Sequence, residues 1–98
     1  MTALRLAPQV FSRDLERIHQ HLVTHDAARV EERLAAIFEA LEILRHHPEI
    51  GRPGAEGFRE LVIGKGARGY VARYRYDRVE DAVDVLAIRA QREGGFAP

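Results

Sequence analysis

The chain has no cysteine, no tryptophan, one methionine, one serine (Ser12) and one lysine (Lys65). Without cysteine there is no disulfide framework, no thiolate nucleophile and no cysteine-based zinc site. The single serine lies in Phe11-Ser12-Arg13-Asp14 and makes no nucleophile elbow. No apolar run reaches the ~18 residues of a membrane helix, and the N-terminus lacks the layout of a signal peptide, so a cytoplasmic protein without a membrane partner is expected. Charge of one sign is missing too. Fifteen basic side chains balance fifteen acidic ones, which on its face argues against a polyanionic partner. What is present, 98 residues at 46% hydrophobic and 31% charged, describes one soluble globular domain over 1–98 rather than a disordered segment.

The zero balance hides a polarity. Residues 1–49 carry six Arg against eight Asp/Glu, and residues 50–98 carry nine Lys/Arg against seven. Within 58–76, Arg59, Lys65, Arg68, Arg73 and Arg75 face only Glu60. Such a stretch is either a solvated strand surface or a basic face for phosphates or an acidic partner.

The same division separates helix from strand. Residues 3–7 alternate briefly and stop at Pro8, as a short first strand does. Phe11, Leu15, Ile18 and Leu22, spaced 4, 3, 4, predict an amphipathic helix over 9–24. Asp26 is placed to cap a second helix, in which Val30, Leu34, Ile37, Leu41 and Leu44 repeat at 4, 3, 4, 3 until His46-His47-Pro48 closes it. The short break between them predicts an antiparallel helical hairpin. After a loop marked by Gly51, Pro53, Gly54 and Gly57, three strands are expected at 58–63, 69–76 and 82–90, joined closely enough to form an antiparallel meander. Nine large apolar stripe residues on the helices need a cover, and one face of the sheet is the only one large enough. The expected fold is therefore α+β, a short N-terminal strand and a helical hairpin packed on a mostly antiparallel sheet.

Motifs with chemical associations mostly dissolve in this context. Gly64-Lys65-Gly66-Ala67-Arg68-Gly69 matches the dinucleotide fingerprint, yet that motif needs a helix N-terminus behind it, and here the β-branched, aromatic run 70–76 follows. It reads as a hairpin loop. His21 and His25, four apart, are a possible ligand pair without an evident third member; all five histidines lie between 19 and 47. No metal and no cofactor is expected. In 70–76 the alternation puts Tyr70, Ala72, Tyr74 and Tyr76 on one face and Val71, Arg73 and Arg75 on the other. Arg89 shares the parity of Val85 and Ala87. If the tyrosines face the helices, arginines stand on the free face, either gripping an anion or merely solubilising it.

Several segments, taken in order, resemble the RelE/ParE superfamily of bacterial toxin–antitoxin toxins, and its ParE (plasmid-stabilisation) branch most closely. They are Phe11-Ser12-Arg13-Asp14-Leu15-Glu16-Arg17-Ile18, then His47-Pro48-Glu49-Ile50-Gly51, then Phe58-Arg59-Glu60-Leu61, Tyr70-Val71-Ala72-Arg73-Tyr74-Arg75 and Arg89-Ala90-Gln91-Arg92. The resemblance implies a toxin that inhibits DNA gyrase without catalytic residues of its own. It also implies a cognate antitoxin encoded beside it, which wraps the hairpin and sheet in a hetero-oligomer. The alternative within the superfamily is a RelE-like, ribosome-dependent mRNA endoribonuclease. Against it, the position of that branch's phosphate-binding Arg is Val71, a strand Lys position is Leu61, and no His or Tyr follows the last strand; only Arg92 matches. No sequence-specific nucleic-acid binding is expected. The candidate surface for target or antitoxin is Arg59, Arg73, Arg75, Arg89 and Arg92, with Phe96 in the tail.

Overall fold

A computed structural model describes residues 1–93. Strand β1 (Ala3–Leu6) leads into a π turn (Val10–Leu15) and helix α1 (Glu16–His25). A 3-10 turn (Ala27–Arg29) then opens helix α2 (Val30–Glu42). Strands β2 (Arg52–Pro53), β3 (Arg59–Ile63), β4 (Tyr70–Asp77) and β5 (Ala82–Ala90) complete one five-stranded sheet in the order β1-β5-β4-β3-β2. The meander β2–β5 is antiparallel, and β1 returns to pair in parallel with β5. This is the expected α+β layer, with one addition: the glycine- and proline-rich loop contributes the two-residue edge strand β2.

One helical layer covers one sheet face. Ile37, Leu41 and Leu44 from the second helical segment and Ile18 and Leu22 from α1 pack on Tyr70, Ala72, Tyr74, Val83, Val85 and Ile88. Each large side chain so buried contributes about 1.5–3 kcal/mol. The 4, 3, 4, 3 stripe of the second helix is thus seated as its spacing predicts. Two details of the hairpin differ. Phe11 is 54% exposed while Val10 and Asp14 are buried, because the helix enters through a π turn. Its hydrogen bonds span five residues instead of four, so Val10, Asp14, Ile18 and Leu22 line up toward the sheet. Asp26 makes no side-chain cap; its carboxylate pairs with Arg33 at 3.1 Å.

The chain ends of the sheet are fastened by side chains. Asp81 sits in the left-handed region (φ 51°) at the turn into β5 and accepts hydrogen bonds from the hydroxyls of Thr2 (2.7 Å) and Tyr76 (2.8 Å). These bonds hold the Asp81 carboxyl below the usual carboxylate range, Thr2 contributing most. Tyr74, fully buried, accepts from the Gly51 amide at 2.8 Å, and burial pushes its phenol above the ordinary value. Gly51 is required there: a Cβ would stand 2.7 Å from the Tyr74 ring.

Candidate functional site

Among the described residues, one sheet face is left uncovered by helices, and its population follows from register. Val71 pairs with Val62 and Arg89, Arg73 with Glu60 and Ala87, and Arg75 with Asp84. Since Tyr70, Ala72 and Tyr74 face the helices, these alternate positions lie on the opposite side. Arg73, Arg75 and Arg89 therefore share the face left uncovered by helices. Arg89 arrives there by a route that strict alternation does not give. The β4–β5 register shifts between Arg73 and Tyr74, whose partners are Ala87 and Val85, so Leu86 is an extra residue in β5. The bulge reverses the parity beyond it. Val85 and Ile88 both enter the core, so Arg89, although it shares the parity of Val85, lies with Ala87 on the opposite face.

On this face the guanidinium groups are not a loose cationic sheet. Arg73 and Arg75 both stack on Phe58, with their central carbons 4.3 and 4.1 Å from the ring centre. Contacts of this kind are worth about 0.5–1 kcal/mol each where exposed. Arg75 also donates to the Glu56 carbonyl, and Arg89 to the carbonyls of Ala90 and Gln91. Carboxylates are interleaved. Glu60 accepts from Arg52 (3.2 Å) beside Arg73, and Asp84 is held by two bonds from Arg5 (2.6 and 3.0 Å) beside Arg75. The result is a face of oriented, alternating charge, suited to a partner of matching pattern.

The remaining sequence-derived candidates fall elsewhere. Arg59 pairs in register with Tyr74 and so belongs to the helix side, where it donates to the carbonyls of Glu49 and Gly51 at 3.0 and 2.9 Å. Its parity with the core residues Leu61 and Ile63 was the signal for that. Arg92 is exposed and lines a groove of about 560 Å³ between the α1–α2 junction and the β3–β4 connection. Phe96 lies outside the described residues. The segment 64–69 forms that β3–β4 connection, with Gly64 and Gly66 at positive φ, a single 3-10 turn at Gly66–Arg68 and strand β4, not an α-helix, behind it. His21 and His25 stack at 4.4 Å, and no third metal-ligating side chain joins them among the described residues.

Sequence reasoning also missed a buried carboxylate. Asp14 is 2% exposed and accepts from the Ile88 amide at 2.9 Å, while Arg17 donates to the Ile88 carbonyl at 3.1 Å. Strand β1 ends at Leu6, opposite Val85, so Ile88 lies beyond it. Asp14 and Arg17 supply there the peptide partners a longer strand would have given. Gln9 does the same for the carbonyl of the bulged Leu86. The end of β5, from which Arg89 projects and after which the turn bearing Arg92 follows, is thus positioned by the first helical turns.

Comparison with known proteins agrees with this architecture. Residues 4–94 match the family model described as ParE toxin of type II toxin-antitoxin system, parDE. The chain is 31% identical over 93 residues to Toxin RelE3 of Caulobacter vibrioides, covering 95% of this chain and 98% of that one. Its fold is similar to a solved structure titled "Chromosomal ParDE TA system from P. aeruginosa", with a TM-score of 0.76 and 21% identity over 92% of this chain and 96% of that one.

Proposed function

The chain belongs to the ParE toxin family of type II toxin–antitoxin systems, and from that premise we propose that it acts in the cytoplasm by binding and inhibiting DNA gyrase and is neutralised by a cognate antitoxin in a hetero-oligomer. One observation carries the choice of a binding toxin over a nuclease. Cleaving RNA through its 2′-hydroxyl calls for a base, an acid and cations on the phosphate. Among the described residues, the free face has cations but neither imidazole nor phenol. The histidines lie on the helical hairpin and beside its end, between 19 and 47. Tyr70 and Tyr74 are buried toward the helices, and Tyr76 donates to Asp81. Val71, where the ribonuclease branch places an arginine, is buried, and Leu61 packs toward the core.

On this reading Arg73, Arg75 and Arg89 form the target-contacting face, Arg59 positions the Glu49–Gly51 loop, and Arg92 and Phe96 serve the antitoxin side. Purified protein is expected to block gyrase supercoiling or trap cleaved DNA while ribosome-bound mRNA stays intact. Replacing Arg73 and Arg75 together by Ala is expected to weaken inhibition about tenfold or more, as truncating interface arginines does, with antitoxin binding retained. Codon-specific mRNA cuts with unaffected gyrase would overturn the proposal.

A further inference from the structure

Two arginines of the free face rest on one ring, and the chain is shaped to put that ring there. Phe58 immediately precedes β3, where Glu60 pairs with Arg73 and Val62 with Val71, so alternation carries it to the face of Arg73 and Arg75. Its backbone is fixed from both sides. The Phe58 amide donates to the Ala55 carbonyl at 3.0 Å, and the Phe58 carbonyl accepts from the Gly54 amide at 2.8 Å. Between them the chain passes through two left-handed residues, Glu56 (φ 59°) and Gly57 (φ 82°). For a residue with a side chain, as Glu56 has, that conformation is uncommon and persists where surrounding contacts impose it. The turn presents the ring to both guanidinium groups, 4.3 Å from Arg73 and 4.1 Å from Arg75, and the Glu56 carbonyl to Arg75 at 3.1 Å. Phe58 and Arg73 are half-buried and Arg75 is exposed, so the pair can be reached from solvent.

A guanidinium held over a ring is anchored through its charge and flat surface, without using up its five N–H donors. An ion pair would anchor it by consuming them. Each arginine held in this way loses less rotamer freedom when a partner binds. The surroundings select the partner's chemistry. Glu60, opposite Arg73, and Asp84, opposite Arg75, bracket the pair with negative charge. A continuous phosphate backbone would run onto these carboxylates, whereas a protein surface can alternate its charges to match. We infer that Phe58 is the positioning residue of a preset guanidinium pair, Arg73 and Arg75, which grips neighbouring carboxylates on a protein partner. That this partner is gyrase rests on the reading given above; the ring, the turn and the pair stand apart from it.

Two variants of the whole chain separate the ring from its bulk. Phe58→Leu keeps an apolar side chain and removes the ring, while Phe58→Trp keeps a ring, the best of the aromatic side chains for a cation. In NMR spectra the Nε–H signals of Arg73 and Arg75 are expected to be displaced by the ring current in the wild type and in Phe58→Trp, and to return toward the ordinary arginine position in Phe58→Leu. The concentration that half-inhibits gyrase supercoiling is expected to rise about tenfold in Phe58→Leu and to stay within about twofold in Phe58→Trp. With Arg73→Ala and Arg75→Ala already present, Phe58→Leu is expected to add nothing. Wild-type potency in Phe58→Leu would overturn the inference, and so would equal losses in the Leu and Trp variants. Binding of a short DNA duplex by the wild type without gyrase, abolished in Phe58→Leu, would also overturn it by assigning the pair to phosphates. If the wild type leaves gyrase untouched, the gyrase reading fails by itself and the pair is judged on the tripeptide Glu-Glu-Glu. Its midpoint for shifting the arginine signals is expected to be about tenfold lower in the wild type than in Phe58→Leu, and equal midpoints would overturn the inference.

Discussion

Replacing Asp14 tests how the π turn holds the end of the sheet. In Asp14→Ala the Ile88 amide, now bonded at 2.9 Å in a buried site, loses its acceptor. An unsatisfied buried donor costs about 1–3 kcal/mol. Arg13 and Arg17, whose side chains are 39% and 40% exposed, turn to solvent instead of remaining stranded, so the ion pairs add only about 0–1 kcal/mol. The expected loss is about 2–3 kcal/mol, a large share of the roughly 5–15 kcal/mol that stabilises a domain of this kind. At about 4–8 °C per kcal/mol for this size, the melting temperature falls by about 10–20 °C. Asp14→Asn retains an acceptor for Ile88 and is expected to lose only about 1 kcal/mol. Urea unfolding followed by circular dichroism gives both values, and hydrogen exchange at the Ile88 amide locates the damage. The reasoning fails if Ala and Asn are equally destabilising, which would make the charge, not the amide partner, decisive. It also fails if Ala costs under about 0.5 kcal/mol, the range of an ordinary surface change.

Two further outcomes follow from the fastenings of the sheet. Gly51→Ala drives a methyl group to 2.7 Å from the buried Tyr74 ring and 2.9 Å from the Glu60 carbonyl, and is expected to cost about 1–3 kcal/mol, seen as a lower urea midpoint at unchanged slope. The Asp81 carboxyl, held below its ordinary value by Thr2 and Tyr76, contributes stability above the ordinary carboxylate range and loses it as pH falls through the depressed folded value. Thr2→Val is expected to raise that value and flatten the acid side of the stability profile, as NMR titration of Asp81 and acid unfolding would report.

The parts of this fold that were legible in the sequence are those governed by a single period. Val30 to Leu44 repeats without interruption, and the structure packs that stripe on the core, fully burying Ile37, Leu41 and Leu44; Tyr70 to Tyr76 alternates, and the structure keeps tyrosines in and arginines out. What escaped are the places where one residue is inserted into a period. The π turn widens the first helical turn, exchanging Phe11 for Val10 and Asp14, and no glycine or proline lies within it; Pro8 marks only where the helix begins. The bulge at Leu86 is as silent, because it is settled by pairing with β4 and by Gln9 and Asp14, residues more than seventy positions away. Arg59 illustrates a different limit. Charge counting placed it with Arg73 and Arg75, although its parity with Leu61 and Ile63 was available and put it on the other side. The groove was invisible to any linear reading, since its cations, Arg17, Arg33, Arg68 and Arg92, come from four separated segments.

The parallel pairing of β1 with β5 gives the molecule a temporal order. Ala3 lies beside Ala82 and Leu6 beside Val85, so the first strand finds its partner only when the last is present. The hairpin can form early, yet its apolar stripe has no complete sheet to rest on until β5 is inserted between β1 and β4. Contacts that close loops of more than seventy residues are slow to form and late to repay their entropy. The β3–β4 pairing is local, so Arg73 and Arg75 are set without β5, whereas Arg89 joins them only once β5 is in place.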